Sequence, residues 1–201
     1  AQDTPGRRRV EILHSDSMKF EQSDGRTRNR LNGNVSLKHN DLYMDCDSAW
    51  YYDDTNQVLA YRNIHIWQGD TIHIRGEYLS YDGNTRKAFL TDNVVLNDKE
   101  MQLFTDKIDY DVNTQVANYD TWGRILNGDN TLTSRVGIYY SDRKMLHFRD
   151  SVRIDNPDYV MTADTMRYDT SREIAWFTGP TEVVGDSIYL YCENGWSDTR
   201  N

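Results

Sequence analysis

His65 and His73 flank the turn Gln68-Gly69-Asp70, and a hairpin there would bring their imidazoles together across two strands, as half of a metal site. Zinc needs a third and usually a fourth ligand, and His14, His39 and His147 are not placed beside the pair. The pair therefore reads as a cross-strand surface contact. Asp53-Asp54-Thr55-Asn56 and Asn127-Gly128-Asp129-Asn130 are oxygen-rich like calcium loops, yet neither has the later bidentate glutamate, and both read as turns. Acidic pairs such as Asp45 and Asp47 recur, but a glycosidase needs two carboxylates poised across one cleft, and nothing selects such a pair. The sequence contains no nucleophile elbow, phosphate loop or dinucleotide fingerprint. The expectation is a protein that is not an enzyme and uses no cofactor or metal.

The bulk properties narrow the partners. A chain of 201 residues with 14 Tyr, 5 Trp and a mean hydropathy of −0.83 is polar and aromatic at once. Disordered chains are polar but poor in aromatics, whereas half-buried sheets combine a wet face with a dry one. The net charge of −9 argues against a nucleic-acid partner. Residues 1–30 are the exception, with seven basic residues (Arg7, Arg8, Arg9, Lys19, Arg26, Arg28, Arg30) against five acids. Residues 1–9 read as a flexible tail and 10–201 as one repeat domain. The polar start, Ala1-Gln2-Asp3-Thr4-Pro5, resembles a mature exported chain after loss of its signal peptide.

The elements that would position any site announce themselves by repetition. Tyr52, Tyr81, Tyr110, Tyr140 and Tyr168 each precede a polar turn, at spacings of 29, 29, 30 and 28 residues. Weaker copies stand at Phe20-Glu21-Gln22-Ser23-Asp24 and Trp196-Ser197-Asp198-Thr199-Arg200. A second mark lies midway between: Gly33-Asn34-Val35, Arg62-Asn63-Ile64, Asp92-Asn93-Val94, Asp150-Ser151-Val152 and Thr181-Glu182-Val183. Most are followed by a hairpin signal, such as Asn97-Asp98-Lys99-Glu100 or Asn156-Pro157-Asp158. Each unit of about 29 residues thus holds two strands and two turns.

Alternation within the strands changes phase midway. Met44 and Cys46 share one parity, and Ala49 and Tyr51 the other. The same slip separates Ile74 from Leu79 and Tyr81, Leu103 from Ile108 and Tyr110, and Met161 from Met166 and Tyr168. A period of two keeps both halves facing one core only if a bulge or corner absorbs a residue. Repeated at the same height in every unit, that corner folds an antiparallel meander into two facing layers. The expected fold is all-β: an open antiparallel β-jelly roll or V-shaped β-solenoid. Two strands advance such a stack by about 9–10 Å, so Cys46 and Cys192, five repeats apart, lie far beyond the ~7 Å that a disulfide allows.

The tandem pattern is similar to the LptA/OstA family of periplasmic lipopolysaccharide-transport proteins. It is clearest in Leu31-Asn32-Gly33-Asn34-Val35-Ser36-Leu37 and in Met161-Thr162-Ala163-Asp164-Thr165-Met166-Arg167-Tyr168-Asp169. Matching returns are Val58-Leu59-Ala60-Tyr61, Arg86-Lys87-Ala88-Phe89 and Glu173-Ile174-Ala175-Trp176. The likeness covers roughly residues 10–201, and the many Tyr and Asp place it closer to an OstA-like branch, whose members are often longer. The resemblance implies a periplasmic location, an apolar groove that shields lipid A acyl chains, and end-to-end contact through edge strands with itself or other transport proteins.

On that reading Met44, Cys46, Tyr51, Ile74, Leu79, Leu103, Ile108, Met161 and Met166 line the groove. The alternative weighed against it is that they merely fill a closed core. A different class of function, a structural or adhesive repeat protein, would use outer-face aromatics such as Trp67 and Trp122 for protein or glycan contacts.

Overall fold

A computed structural model describes residues 9–23 and 25–200. The expected tail therefore lies outside the described residues except for Arg9, as does Asp24 of the first weak repeat. The fold is all-β and forms one antiparallel sheet of 16 strands. Two short strands, β1 (Glu11–His14) and β2 (Ser17–Ser23), both pair with β3 (Arg26–His39). There follow β4 (Leu42–Tyr52), β5 (Gln57–Gln68), β6 (Ile72–Asp82), β7 (Lys87–Asn97) and β8 (Gln102–Asp111), each antiparallel to the one before. The next two passes are broken in the middle, as β9 (Val116–Tyr119) with β10 (Gly123–Asn127), and β11 (Asn130–Ser134) with β12 (Val136–Tyr140). Then β13 (Met145–Asp155), β14 (Tyr159–Asp169), β15 (Ile174–Gly185) and β16 (Tyr189–Asp198) complete the meander.

The mid-strand corner is a bulge with a fixed residue count. Between Ser48↔Tyr61 and Asp45↔His65, β4 spends three steps where β5 spends four. The surplus residue leaves Tyr61, Arg62 and Asn63 facing outward between buried Ala60 and buried Ile64. Two consecutive residues absorb the bend in the left-handed region: Arg62 at φ 65° and Asn63 at φ 50°. Gly33-Asn34, Asp92-Asn93 and Asp150-Ser151 do the same. Asn and Asp tolerate this region better than other L-residues, which explains the recurrent composition of the mark.

Two registers differ from the sequence reading. The tyrosines buried beside the repeat turns are Tyr51, Tyr81, Tyr110, Tyr139 and Tyr168, so Tyr52 and Tyr140 are the outward members of Tyr-Tyr pairs. In the last repeat the corner falls at Gly179 (φ 91°) and Pro180, two residues before the expected Thr181-Glu182-Val183, because Thr181 is the residue that turns inward.

The broken passes have a steric cause. Tyr119 projects into the crease, where a Cβ on Gly123 or Gly137 would lie 2.4 or 2.3 Å from its ring. A large inward residue there is accommodated only by removing side chains from its two neighbours.

Asn63→Val places a β-branched side chain at positive φ and deletes the 2.9 Å bond from Asn63 Nδ2 to Asp47. We expect a loss of about 1–2 kcal/mol in urea unfolding, against a much smaller change for Asn63→Gly.

Candidate functional site

The sheet's inner surface is a continuous apolar strip. In the hairpin-side layer one cross-strand row runs Ile12, Leu37, Met44, Ile66, Ile74, Leu96, Leu103, Ile125, Leu132, Ile154, Met161, Val183 and Leu190 without a polar residue. Thirteen strands at about 4.8 Å make that row on the order of 58 Å long. The facing layer carries Leu31, Ala49, Ala60, Leu79, Leu90 and Ile108, and beyond the broken passes Phe148, Met166 and Phe177.

All nine residues singled out for the groove belong to this interior. Met44, Cys46, Ile74, Leu103 and Met161 lie in the hairpin-side layer, and Tyr51, Leu79, Ile108 and Met166 in the other. None exceeds 6% exposure, so in this state their side chains pack against one another. Cys46 and Cys192 are both free thiols. Burial, then Asp45 and Asp47, pushes the Cys46 thiol up to about 12, which leaves it unreactive.

The tyrosines close the side of the interior opposite the crease. Along their row each alternates with a smaller residue: Tyr51, Val58, Tyr81, Ala88, Tyr110, Ala117, Tyr139, Leu146, Tyr168, Ala175. Neighbours only about 4.8 Å apart cannot both be ring-bearing and flat against the core, so the small residue makes room. Tyr51 donates to Asp53 in its own turn at 3.2 Å, whereas from Tyr81 onward each ring carries its hydroxyl to a hairpin of the other layer. Tyr81 meets His39 Nδ1 at 2.6 Å, Tyr110 donates to Gln68 Oε1 at 3.0 Å, Tyr139 to Asp98 Oδ2 at 2.7 Å and Tyr168 to Asn127 Oδ1 at 2.8 Å.

The four partners are 41 or 42 residues earlier in the chain, one repeat back from the hairpin that begins the tyrosine's own strand. The two rims are therefore staggered by one repeat. Lys144 Nζ adds an ion pair to Asp98 at 2.6 Å, with the Asp98 side chain fully buried, and Arg86 pairs with Asp41. Among the described residues every hydrogen bond across this mouth uses at least one side chain, so the rims are not joined by a backbone ladder.

His39, Gln68, Asp98 and Asn127 are seam residues that the sequence reading missed. Their signal was present: each continues the inward parity of its strand at spacings of 29, 30 and 29, yet is polar where the alternation requires an apolar residue. The other candidates are explained by the surface. His65 Nε2 and His73 Nδ1 lie 3.0 Å apart on the outer face, with the His65 ring stacked on Trp67. Among the described residues no three His, Cys, Asp or Glu side chains cluster to hold a metal ion.

The ends of the interior differ from its middle. Met18 and Phe20 share the inner face with Leu31 and Asn29 yet are 62% and 65% exposed. At the other end Leu190, the last residue of the apolar row, is 49% exposed.

Comparison with known proteins completes the description. A sequence-family profile described as OstA-like protein matches residues 7–164. No curated protein matches the chain. Among solved structures, similarity is found to LptH, described as the LptA homologous periplasmic component of the conserved lipopolysaccharide transport device from Pseudomonas aeruginosa. The likeness has 14% identity and a TM-score of 0.48, and covers 53% of this chain and 81% of that one.

Two outcomes follow from the tyrosine row. Tyr139→Phe removes a bond to a buried carboxylate and should cost about 2 kcal/mol in urea unfolding, roughly twice the cost of Tyr110→Phe, whose partner is the neutral Gln68. Burial raises the pKa of all five rim tyrosines, to about 12 for Tyr51 and Tyr81. A raised folded pKa stabilises fully below the unfolded value near 10 and is lost as pH climbs through the folded one. Alkaline unfolding should thus begin above about pH 10, with the buried tyrosines ionising together with the loss of β-sheet circular dichroism.

Proposed function

The chain belongs to the OstA-like protein family, and from that membership we propose that it is a periplasmic lipid-binding module that shields lipopolysaccharide acyl chains in its apolar interior during transport to the outer membrane. Residues 10–201 act as one such unit on this reading. The observation that carries it is the asymmetry of the interior's two sides. One side is a crease in continuous sheet, and the other is a seam of side-chain hydrogen bonds.

Magnitudes favour opening along that seam. The four tyrosine bonds contribute about 1 kcal/mol each, and Asp98–Lys144, Arg86–Asp41 and the amide contacts of Asn127 and Asn130 add to them. An acyl chain of a dozen carbons gains about 0.8 kcal/mol per buried methylene. One chain sliding between Met44, Ile74, Leu103 and Met161 on one wall and Leu79, Ile108 and Met166 on the other therefore gains an energy of the same order as the seam it parts. Methionine suits such a wall, because its flexible thioether repacks against irregular surfaces. Tyr51 and Cys46 complete the lining toward the first repeats. The exposed apolar ends, Met18 and Phe20 on β2 and Leu190 on β16, are the sites at which other transport components or a second copy join the stack.

A second reading, surface contacts by a structural repeat protein, is favoured by Trp122, which is 54% exposed at the outer corner.

The two are separated by photo-crosslinkers placed at Ile74, Leu103 and Met161, with Trp122 as the outer control. Incubation with lipid A should label the three interior positions and spare the control, and Tyr139→Phe should increase the yield by loosening the seam. Absence of interior labelling in both backgrounds would overturn the proposal.

A further inference from the structure

The outer face of the tyrosine-bearing layer has a concentration of positive charge and rings that neither the core nor the seam uses. One outward cross-strand row runs His147, Arg167, Trp176, and Tyr140 stands beside Met145 in the next row. The turn that follows Tyr140 carries Arg143 back over that ring, with its Cζ 5.7 Å from the centroid. These six side chains line a half-open cavity of about 340 Å³, within the range of small-molecule sites.

The charge of this cavity is opposite to that of the chain. It is lined by two guanidiniums and no carboxylate, in a protein of net charge −9. Among the described residues the one ion pair of Arg143 is with its neighbour Asp142, at 3.4 Å and largely in solvent, a contact of little strength. No carboxylate pairs with Arg167 among the described residues. Burial, and then the fields of Arg167 and Arg143, pushes the His147 pKa down, so its imidazole is neutral at pH 7 and offers one donor and one acceptor.

We infer that this cavity is a binding site for a phosphate-bearing sugar, with Arg143 and Arg167 on the phosphate and Trp176, Tyr140 and His147 on the sugar ring. Two guanidinium forks use all four lone-pair sites of a carboxylate, whereas the three oxygens and higher charge of a phosphate serve both forks with acceptor capacity left over. Tyr140 and His147 are tilted 57° to each other at 5.0 Å, which leaves no parallel slot for a flat base but suits a puckered ring with apolar C–H faces and polar edges. An adjoining cavity of about 890 Å³ shares Tyr140 and Arg143 and is lined by Asp82, Asp109, Asp111 and Asp142, acceptors for the hydroxyls of further sugar units. The site lies on the outside of the sheet and does not depend on acyl chains entering its interior.

Calorimetry on the full chain with glucose 1-phosphate, glucose and inorganic phosphate tests the assignment. Glucose 1-phosphate should bind roughly tenfold or more tightly than either fragment, and R143Q/R167Q should weaken it by at least about tenfold. W176F should weaken glucose 1-phosphate while leaving inorganic phosphate unchanged, and single R167Q, far from the core, guards against misfolding of the double variant. No binding of the sugar phosphate, binding undiminished in R143Q/R167Q, or inorganic phosphate bound as tightly as the sugar phosphate each overturns the inference. Phosphatidylcholine vesicles with and without lipid A identify the source. Loss of lipid A vesicle binding in R143Q/R167Q assigns the sugar to a lipid headgroup, and loss confined to glucose 1-phosphate assigns a soluble ligand. Interior crosslinking at Leu103 persists in that variant, so failure here and failure of the acyl-chain proposal are read separately.

Discussion

The whole architecture rests on a mismatch of one residue. Each descending pass of the chain carries one residue more than the pass beside it, and the surplus is placed at the same height in successive repeats. A strand can keep its apolar side chains inward on both sides of a corner only by such a slip, because its faces alternate strictly. The cost is backbone held at positive φ, as at Arg62-Asn63 and Asp92-Asn93, of order 1–2 kcal/mol for a residue with a Cβ. Burial of the inner rows on both sides of the crease offsets it, since a single buried Leu or Ile is worth about 1.5–3 kcal/mol. Without the bulge the sheet would bury one half of each strand and expose the apolar face of the other.

From the crease the rest follows geometrically. Two layers hinged along one side bring their far rims together, and the residues at those rims are long and polar-tipped. Tyrosine serves there because its ring extends the apolar wall while its hydroxyl reaches the opposite hairpin. The seam is specific as well as cohesive: Asp98 receives both Tyr139 and Lys144, and a register error would leave that buried carboxylate without partners. An interior enclosed on one side by sheet and on the other by side chains alone has a built-in direction of opening, the feature on which the proposed shielding of acyl chains rests.

Much of this was legible in the residues. The repeat, the phase slip in β4, β6, β8 and β14, and the resulting creased sheet can be read from parity alone. The tyrosine register was legible at Tyr51, which shares the parity of Ala49, but not at Tyr139. Trp50-Tyr51-Tyr52 and Tyr139-Tyr140 place aromatics on both faces, and the choice between them is made by the small residues across the ladder, Val58 and Ala117. The seam partners His39, Gln68, Asp98 and Asn127 were hidden in hairpin signals, because their contacts depend on a stagger between layers that no local pattern encodes. The broken passes of β9 to β12 were equally invisible, since they arise from one oversized residue, Tyr119, meeting two glycines. Likewise, the parity that identifies Met44 or Ile108 as inward does not say whether the space inward is filled.

The stagger between the rims has a further consequence for how such a chain can change length. Tyr81, Tyr110, Tyr139 and Tyr168 each dock on a hairpin 41 or 42 residues behind, so the bond network is written in units of a whole repeat plus half of the next. Loss or duplication of about 29 residues moves bulge and docking hairpin together and restores every contact beyond the junction. A shift of a single residue would invert both faces of all later strands. The molecule therefore resembles a ruler with one permitted graduation: its reach can be edited only in whole marks, each worth two strands, or about 9–10 Å.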